Sequence, residues 1–231
     1  MKIPLSDRLL ACCSFVRPGD RVADIGCDHG YLGIHLLKTG IADSIIAADV
    51  NEGPLQSAMR NALKFGVRHK MTFFLSDGVR NVSQDFDTWV CAGMGADTMI
   101  SILEAAPWLK DSRYRLILQC QSRRPELRRY LYEQGFRILR ETLAQDGKFI
   151  YPVMEVAYDP EEPLTPGGYH ISPALLASAS PLLGAFYERV KDGLETTVMG
   201  LRRSSSEKLS EFEVVLKEIQ EMEAVIYGNH R

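Results

Sequence analysis

Hydrophobic positions recur along the chain with two alternating periods. Val22, Ala23 and Ile25 make a short apolar run with strand character; after Gly30 the spacing lengthens, and Tyr31, Ile34 and Leu37 share one helical face. The alternation continues downstream. Strands are predicted over Ser44–Ala48, Met71–Leu75, Thr88–Ala92 and Tyr114–Cys120, and helices over Pro54–Phe65 and Asp97–Ala105. Pro4–Phe15 reads as an opening helix that Ser6 can cap. Phe136–Thr142 and Phe149–Tyr158 read as the last two strands, paired as an antiparallel hairpin across Gln145-Asp146-Gly147. This order predicts an α/β fold, doubly wound, with a mostly parallel sheet and an antiparallel last strand.

The pattern changes after Tyr158. Asp159–Gly168 holds three prolines, two glycines and no apolar period, which reads as a linker. Beyond it Leu183, Phe186, Val190, Leu194 and Leu201 form one stripe, and Leu209, Phe212, Leu216, Ile219, Met222 and Ile226 a second at near-heptad spacing. Arg202-Arg203-Ser204-Ser205-Ser206 turns the chain between them. The expected organisation is therefore a sheet domain over 1–158, a linker over 159–168, and a C-terminal two-helix antiparallel coiled coil over 169–231. The stripes read as a packing seam whose use is open: RNA platform, dimer interface or lid.

Composition narrows this picture modestly. A chain of 231 residues with 45% hydrophobic content can bury a substantial core. No apolar stretch is long enough for a bilayer and the N-terminus lacks a signal-peptide profile, so a cytoplasmic protein without membrane attachment is expected. Cys12, Cys13, Cys27, Cys91 and Cys120 lack metal-ligand spacing and read as buried free thiols, with no metal site. The net charge of −3 leaves nucleic-acid binding to local patches. Arg123–Arg140 carries six arginines against Glu126 and Glu133. Such a run is ordinarily a solvated helix face, but Arg123 and Arg124 directly follow a strand's carboxyl end, where phosphate contact is feasible.

Candidate chemistry centres on the turn Asp24-Ile25-Gly26-Cys27-Asp28-His29-Gly30. A strand, a glycine turn and a helix in succession are expected to present free backbone N–H groups to a ligand. The pattern is not Gly-x-Gly-x-x-Gly, and Asp28 would repel a pyrophosphate. A cationic, phosphate-free cofactor suits it better, and S-adenosylmethionine is the candidate. Asp49, at the tip of the second strand, stands where this architecture holds ribose hydroxyls, although an aspartate there also serves as a helix cap. Asp77-Gly78 closes the third strand, suited to an adenine ring or to an ordinary turn. Gly93-Met94-Gly95-Ala96, after the fourth, leaves room for a planar ligand.

Ala23-Asp24-Ile25-Gly26-Cys27-Asp28-His29-Gly30-Tyr31-Leu32 and Ala92-Gly93-Met94-Gly95, with Leu5-Ser6-Asp7-Arg8-Leu9 at the start, resemble the bacterial tRNA (adenine-22-N1)-methyltransferases of the TrmK type over nearly the whole chain. Asp28 where methyltransferases usually carry glycine, and Gly93-Met94-Gly95 in place of a Pro-Pro motif, narrow the match. The sequence departs from that pattern at Ala96, at Gln119-Cys120-Gln121, and at Cys27 and Gly30. The resemblance implies a class I (Rossmann-like) methyltransferase sheet with a helical C-terminal pair, S-adenosylmethionine as cofactor and tRNA as substrate, with no protein partner evident. It gives Asp24, Gly26, Cys27, His29, Gly30, Asp49, Val50, Asp77, Gly78, Gly93 and Met94 as cofactor contacts. Asp28 becomes the candidate catalytic residue, stabilising the charge that adenine acquires on N1 methylation. Arg123, Arg124, Arg128, Arg202 and Arg203 become candidate RNA contacts. Other classes stay open: methylation of another RNA base or a small molecule, a nicotinamide enzyme, or a non-catalytic adaptor.

Overall fold

The computed structural model describes residues 3–228; residues 229–231 of the expected helical tail lie outside the described residues. In chain order the elements are α1 (Asp7–Cys13), β1 (Asp20–Ile25), α2 (Tyr31–Lys38), β2 (Ala42–Asp49), α3 (Glu52–Lys64), β3 (Met71–Leu75), β4 (Thr88–Met94), α4 (Ala96–Glu104), β5 (Arg115–Cys120), α5 (Arg124–Glu133), β6 (Phe136–Asp146), β7 (Phe149–Tyr158), α6 (Pro173–Leu176), α7 (Leu183–Arg203), α8 (Leu209–Glu221) and α9 (Glu223–Gly228). The strands form one seven-stranded sheet in the order β3-β2-β1-β4-β5-β7-β6. Strands β1 to β5 pair in parallel, and β7 runs antiparallel to both its neighbours. Strand order reverses between β1 and β4, and such a reversal opens a crevice at the strands' carboxyl ends.

Both faces of the sheet are covered, which is why its strands read as continuous apolar runs. Successive residues turn to opposite layers: Val22, Ile45 and Ile117 pack with Cys12, Ile34 and Leu55, whereas Ala23, Trp89 and Leu118 pack with Met99, Leu103 and Leu127. All five cysteines are buried and unpaired. Burial raises their thiol pKa values, with that of Cys13 pushed up to about 12. No helix among the described residues is long and apolar enough to cross a membrane.

Two local readings are corrected. Helix α1 starts at Asp7 rather than Pro4; Ser6 occupies its N-cap, but the hydroxyl makes no capping bond. Strand β6 continues to Asp146, four residues beyond the predicted Thr142, because its polar positions find partners across the hairpin.

The long C-terminal helices α7 and α8 run antiparallel. Arg202 pairs with Glu213 at one end, and Tyr227 donates to Glu188 at the other. The chain between the sheet and these helices is docked: Gly167 N–H donates to Glu218 Oε2 at 2.7 Å. Leu143 and Ile150 of the β6–β7 hairpin share one apolar cluster with Ile171, Leu175, Phe186 and Ile219. Beneath it lies a buried polar network. Arg128 pairs with Glu141 and donates Nη1 to the carbonyls of Tyr169 and His170, and Ser172 donates to the second oxygen of Glu141 while capping α6.

Candidate active site

A cavity of about 390 Å³ opens where β1, β2, β3 and β4 end, within the range of small-molecule sites (~300–1,000 Å³). Asp24, Gly26, Cys27, Asp28, His29, Asp49, Val50, Asp77, Gly78, Gly93 and Met94 all line it. Strand β1 places Asp24 at its buried end, and the glycine turn carries Asp28 over the opening. Gly30 does not line the cavity. It starts α2 at φ +70°, and a Cβ there would stand 2.9 Å from the Cβ of Ala58, so its role is close helix packing. Gly26 also lies in the left-handed region, at φ +77°, and a Cβ there would meet only the mobile end of the Met94 side chain.

The expectation of free main-chain donors in this turn is corrected at four positions. Gly26 and Cys27 N–H both donate to Ala48 O, Gly30 N–H donates to Cys27 O, and Asp28 N–H donates to Asp49 Oδ2 at 3.1 Å. These four donors are satisfied internally and are not offered to an anion. It exposes carboxylates instead. Asp49 Oδ1 accepts from Asn51 N–H at 2.9 Å, so one buried carboxylate organises both the glycine turn and the loop after β2. Asp28 sits in the left-handed region at φ +48°, a conformation that aspartate tolerates, with its side chain 70% exposed and His29 Nε2 3.7 Å away.

Asp24 is the most perturbed acid of the site. It is buried, its Oδ2 has no hydrogen-bond partner among the described residues, and its pKa is raised to about 7. Burial is the main cause; the Gly33 N–H opposes it, and the charges of Asp49 and Asp28 add to it. A buried carboxylate with one oxygen left without a partner, beside two further acids, is a site for a cation. Asp77 lies across the cavity, 3.3 Å from Arg80, and Val50 is an exposed apolar side chain (61%) beside Asp49.

Sequence reading missed Arg8, which lines the cavity from α1. Its Nη1 donates to Gln119 Oε1 at 3.0 Å and its Nε to Asp146 Oδ2 at 3.2 Å. Gln119 Oε1 also accepts from Gly93 N–H, which fixes the backbone after β4. An isolated arginine on an amphipathic helix reads as solvated surface, and nothing in its spacing points across the fold. Asn51 and Thr98 also line the cavity unannounced.

The candidate RNA arginines are dispersed. Arg123 is exposed and paired to Asp97 at 2.7 Å and to Glu126 at 3.3 Å. Arg124 lies half-buried over Phe186, 5.3 Å from the ring centroid, and burial and the neighbouring Arg128 lower its pKa. Arg202 is exposed and engaged with Glu213; Arg203 is exposed. Arg128 is a correction. Its guanidinium is fully buried in the Glu141 network and cannot reach a phosphate.

Comparison with known proteins agrees with this geometry. A family model described as a methyltransferase domain matches residues 5–154. A Bacillus subtilis tRNA (adenine(22)-N(1))-methyltransferase is 27% identical over 201 residues, spanning 84% of this chain and 79% of that one. A Mycoplasma genitalium protein provisionally named a tRNA methyltransferase is 36% identical over 138 residues, 58% of this chain; the match spans 61% of that protein. A solved Streptococcus pneumoniae structure, provisionally assigned as a tRNA (m1A22) methyltransferase, is 30% identical with a TM-score of 0.82, covering 96% of this chain and all of that one (100%). The same protein has also been crystallised with S-adenosyl-L-methionine. By its sheet order, its acid-lined cavity and these likenesses, the chain belongs to the methyltransferase-domain family and, within it, to the TrmK type.

Proposed function

We propose that the protein transfers a methyl group from S-adenosylmethionine to N1 of an adenine in the D-arm region of tRNA, adenine 22. The observation that carries the reading is the cavity's charge: four aspartates line it, one of them buried with an unpartnered oxygen, and the N–H groups of Gly26, Cys27, Asp28 and Gly30 are bound internally. That arrangement rejects a pyrophosphate and accepts a cation. S-adenosylmethionine fits it, with cationic sulfonium and ammonium groups, and supplies the methyl group when bound. Asp24 would hold a cationic group, Asp49 the ribose hydroxyls, Val50 and Asp77 the adenine, and Arg8, the one arginine or lysine among the described residues that lines the cavity, the carboxylate. The same relatives support tRNA as substrate.

The remaining work falls to this chain's own residues. Adenine N1 is a lone-pair nucleophile, so no base is needed to activate it; the protein must place it in line for attack. Methylation makes the ring cationic. Asp28, on the cavity rim, stabilises that charge beside the N6 amino group and can then accept its proton. Reaching N1 inside a folded tRNA requires extrusion of the base. Residues 1–158 hold this chemistry, and the helical segment of 169–231, joined through 159–168, presents Arg202 and Arg203 as further phosphate contacts together with Arg123 and Arg124. Methyl transfer from labelled S-adenosylmethionine to bulk bacterial tRNA, followed by nucleoside analysis, tests the reading; label appearing in a product other than N1-methyladenosine rejects it.

Two outcomes for cofactor binding follow. Asp49→Ala removes charge-assisted hydrogen bonds worth about 1.5–3 kcal/mol, so affinity by calorimetry should fall roughly tenfold or more. Unchanged affinity would reject the assignment. For Asp24 the sign is set by its raised pKa, about 7 in the fold against an ordinary 3.8. The native state holds this proton through the window between those values, so the contribution to stability is present below the lower value and lost as pH rises through the upper one. A cation binds the ionised form, so cofactor affinity should rise between about pH 6 and 8. Asp24→Asn should flatten that part of the profile; an unaltered profile would place the titration elsewhere.

A further inference from the structure

The β6–β7 hairpin overhangs the carboxyl edge of the sheet, beside the cavity. The β5–β7 ladder ends at Leu118–Met154, whereas β7 reaches back to Phe149 and β6 forward to Asp146 around Gly147 and Lys148, with Gly147 at φ +59°. Side chains alternate across the overhang. Leu143 and Ile150 turn to the C-terminal helices. Asp146, Phe149 and Tyr151 take the other face, whose inner end, Val153, packs with Cys12 and Cys13 of α1.

On that outer face Phe149 is 51% exposed. Its ring centroid lies 5.9 Å from that of Tyr151 at a 38° tilt, and Lys148 Nζ stands 5.3 Å from it. Phe149 lies directly across from Asp146, whose carboxylate holds Arg8 at 3.2 Å, and Arg8 lines the cavity. Aromatic tip, ion pair and cavity are thus one continuous surface. An exposed π-face flanked by a lysine and an arginine is complementary to a nucleobase and its phosphate.

We infer that Phe149, backed by Tyr151 and Lys148, is a stacking platform for the RNA base adjoining the one that enters the cavity. Extrusion of a base breaks stacking on both sides, and a fixed π-face at the cavity rim replaces part of what its neighbour loses. The inference rests on the tRNA reading above.

The test uses the full chain and a tRNA transcript carrying adenine 22. Phe149→Ala and Phe149→Leu should each weaken tRNA binding and raise KM for tRNA roughly tenfold, as loss of a base–aromatic stack does, and Phe149→Trp should recover most of that loss. Cofactor affinity and thermal midpoint, measured on every variant, establish that the exposed tip has not disturbed the fold. A leucine variant equal to wild type in tRNA binding and KM overturns the platform, because leucine keeps the apolar contact without the π-face. Wild-type protein that binds cofactor yet leaves the transcript unmethylated overturns the functional reading instead, and tRNA binding by the same variants still decides the platform.

Discussion

Asp28→Ala should lower the single-turnover rate of methyl transfer to tRNA on the order of a hundredfold or more, as loss of a preorganised electrostatic group does. Cofactor and tRNA affinities should change much less, because the charge it answers appears mainly in the transition state. The side chain is free to act: it is largely exposed at the cavity rim, with His29 3.7 Å away. Its backbone is a separate matter, since the N–H that anchors the turn to Asp49 is kept by alanine and asparagine alike. The left-handed φ of +48° is tolerated by asparagine as well as aspartate. Asp28→Asn therefore isolates the charge and should be nearly as slow as alanine. A fast asparagine variant would remove Asp28 from the chemistry, and a slow variant that has also lost its cofactor would make it a shaper of the loop.

The second large effect lies outside the cavity. Arg128→Met should destabilise the protein by ~3–5 kcal/mol in urea unfolding, because it leaves Glu141 buried without its counter-charge and the Tyr169 and His170 carbonyls without a donor. Arg128→Met/Glu141→Gln should recover part of the loss, since no uncompensated charge remains. A second signature accompanies it. Burial, and then the Arg128 charge, hold His170 down at a pKa of about 4; without the guanidinium it should titrate nearer the ordinary imidazole range. A shift in stability below about 1 kcal/mol, with His170 unmoved, would show that water reaches the pair. For the same reason, deleting 168–231 would expose this network and confound any reading of the tail's part in RNA binding.

Much of the architecture was legible because its signals are local. Period-two and helical runs placed β3 at Met71–Leu75 and β7 at Phe149–Tyr158, and the acids at strand ends marked three sides of the cavity. Contacts that depend on the assembled fold were not. Arg8 reaches the cavity across 111 residues of chain to Gln119. Arg128 sits in an arginine-rich stretch that reads as surface, yet shares the buried face of α5 with Leu127 and Leu131. Glycine spacing announced the turn after β1, but the carbonyl of Ala48, on a neighbouring strand, takes up the N–H groups of Gly26 and Cys27.

The five thiols have a consequence for how the protein ages. Cys12, Cys13, Cys91 and Cys120 are sealed within the packed layers, Cys27 borders the cavity while 6% exposed, and desolvation disfavours the thiolate through which alkylation and oxidation proceed. Cys12, Cys13 and Cys27 belong to the layer around α1 and α2, Cys91 and Cys120 to the opposite one, so no single loop movement uncovers them all. Modification of the four sealed thiols must pass through states in which the sheet has opened. Chemical damage is thereby tied to the small unfolded fraction, and the lifetime of the reduced chain under oxidising stress is set by its folding equilibrium rather than by sulfur chemistry.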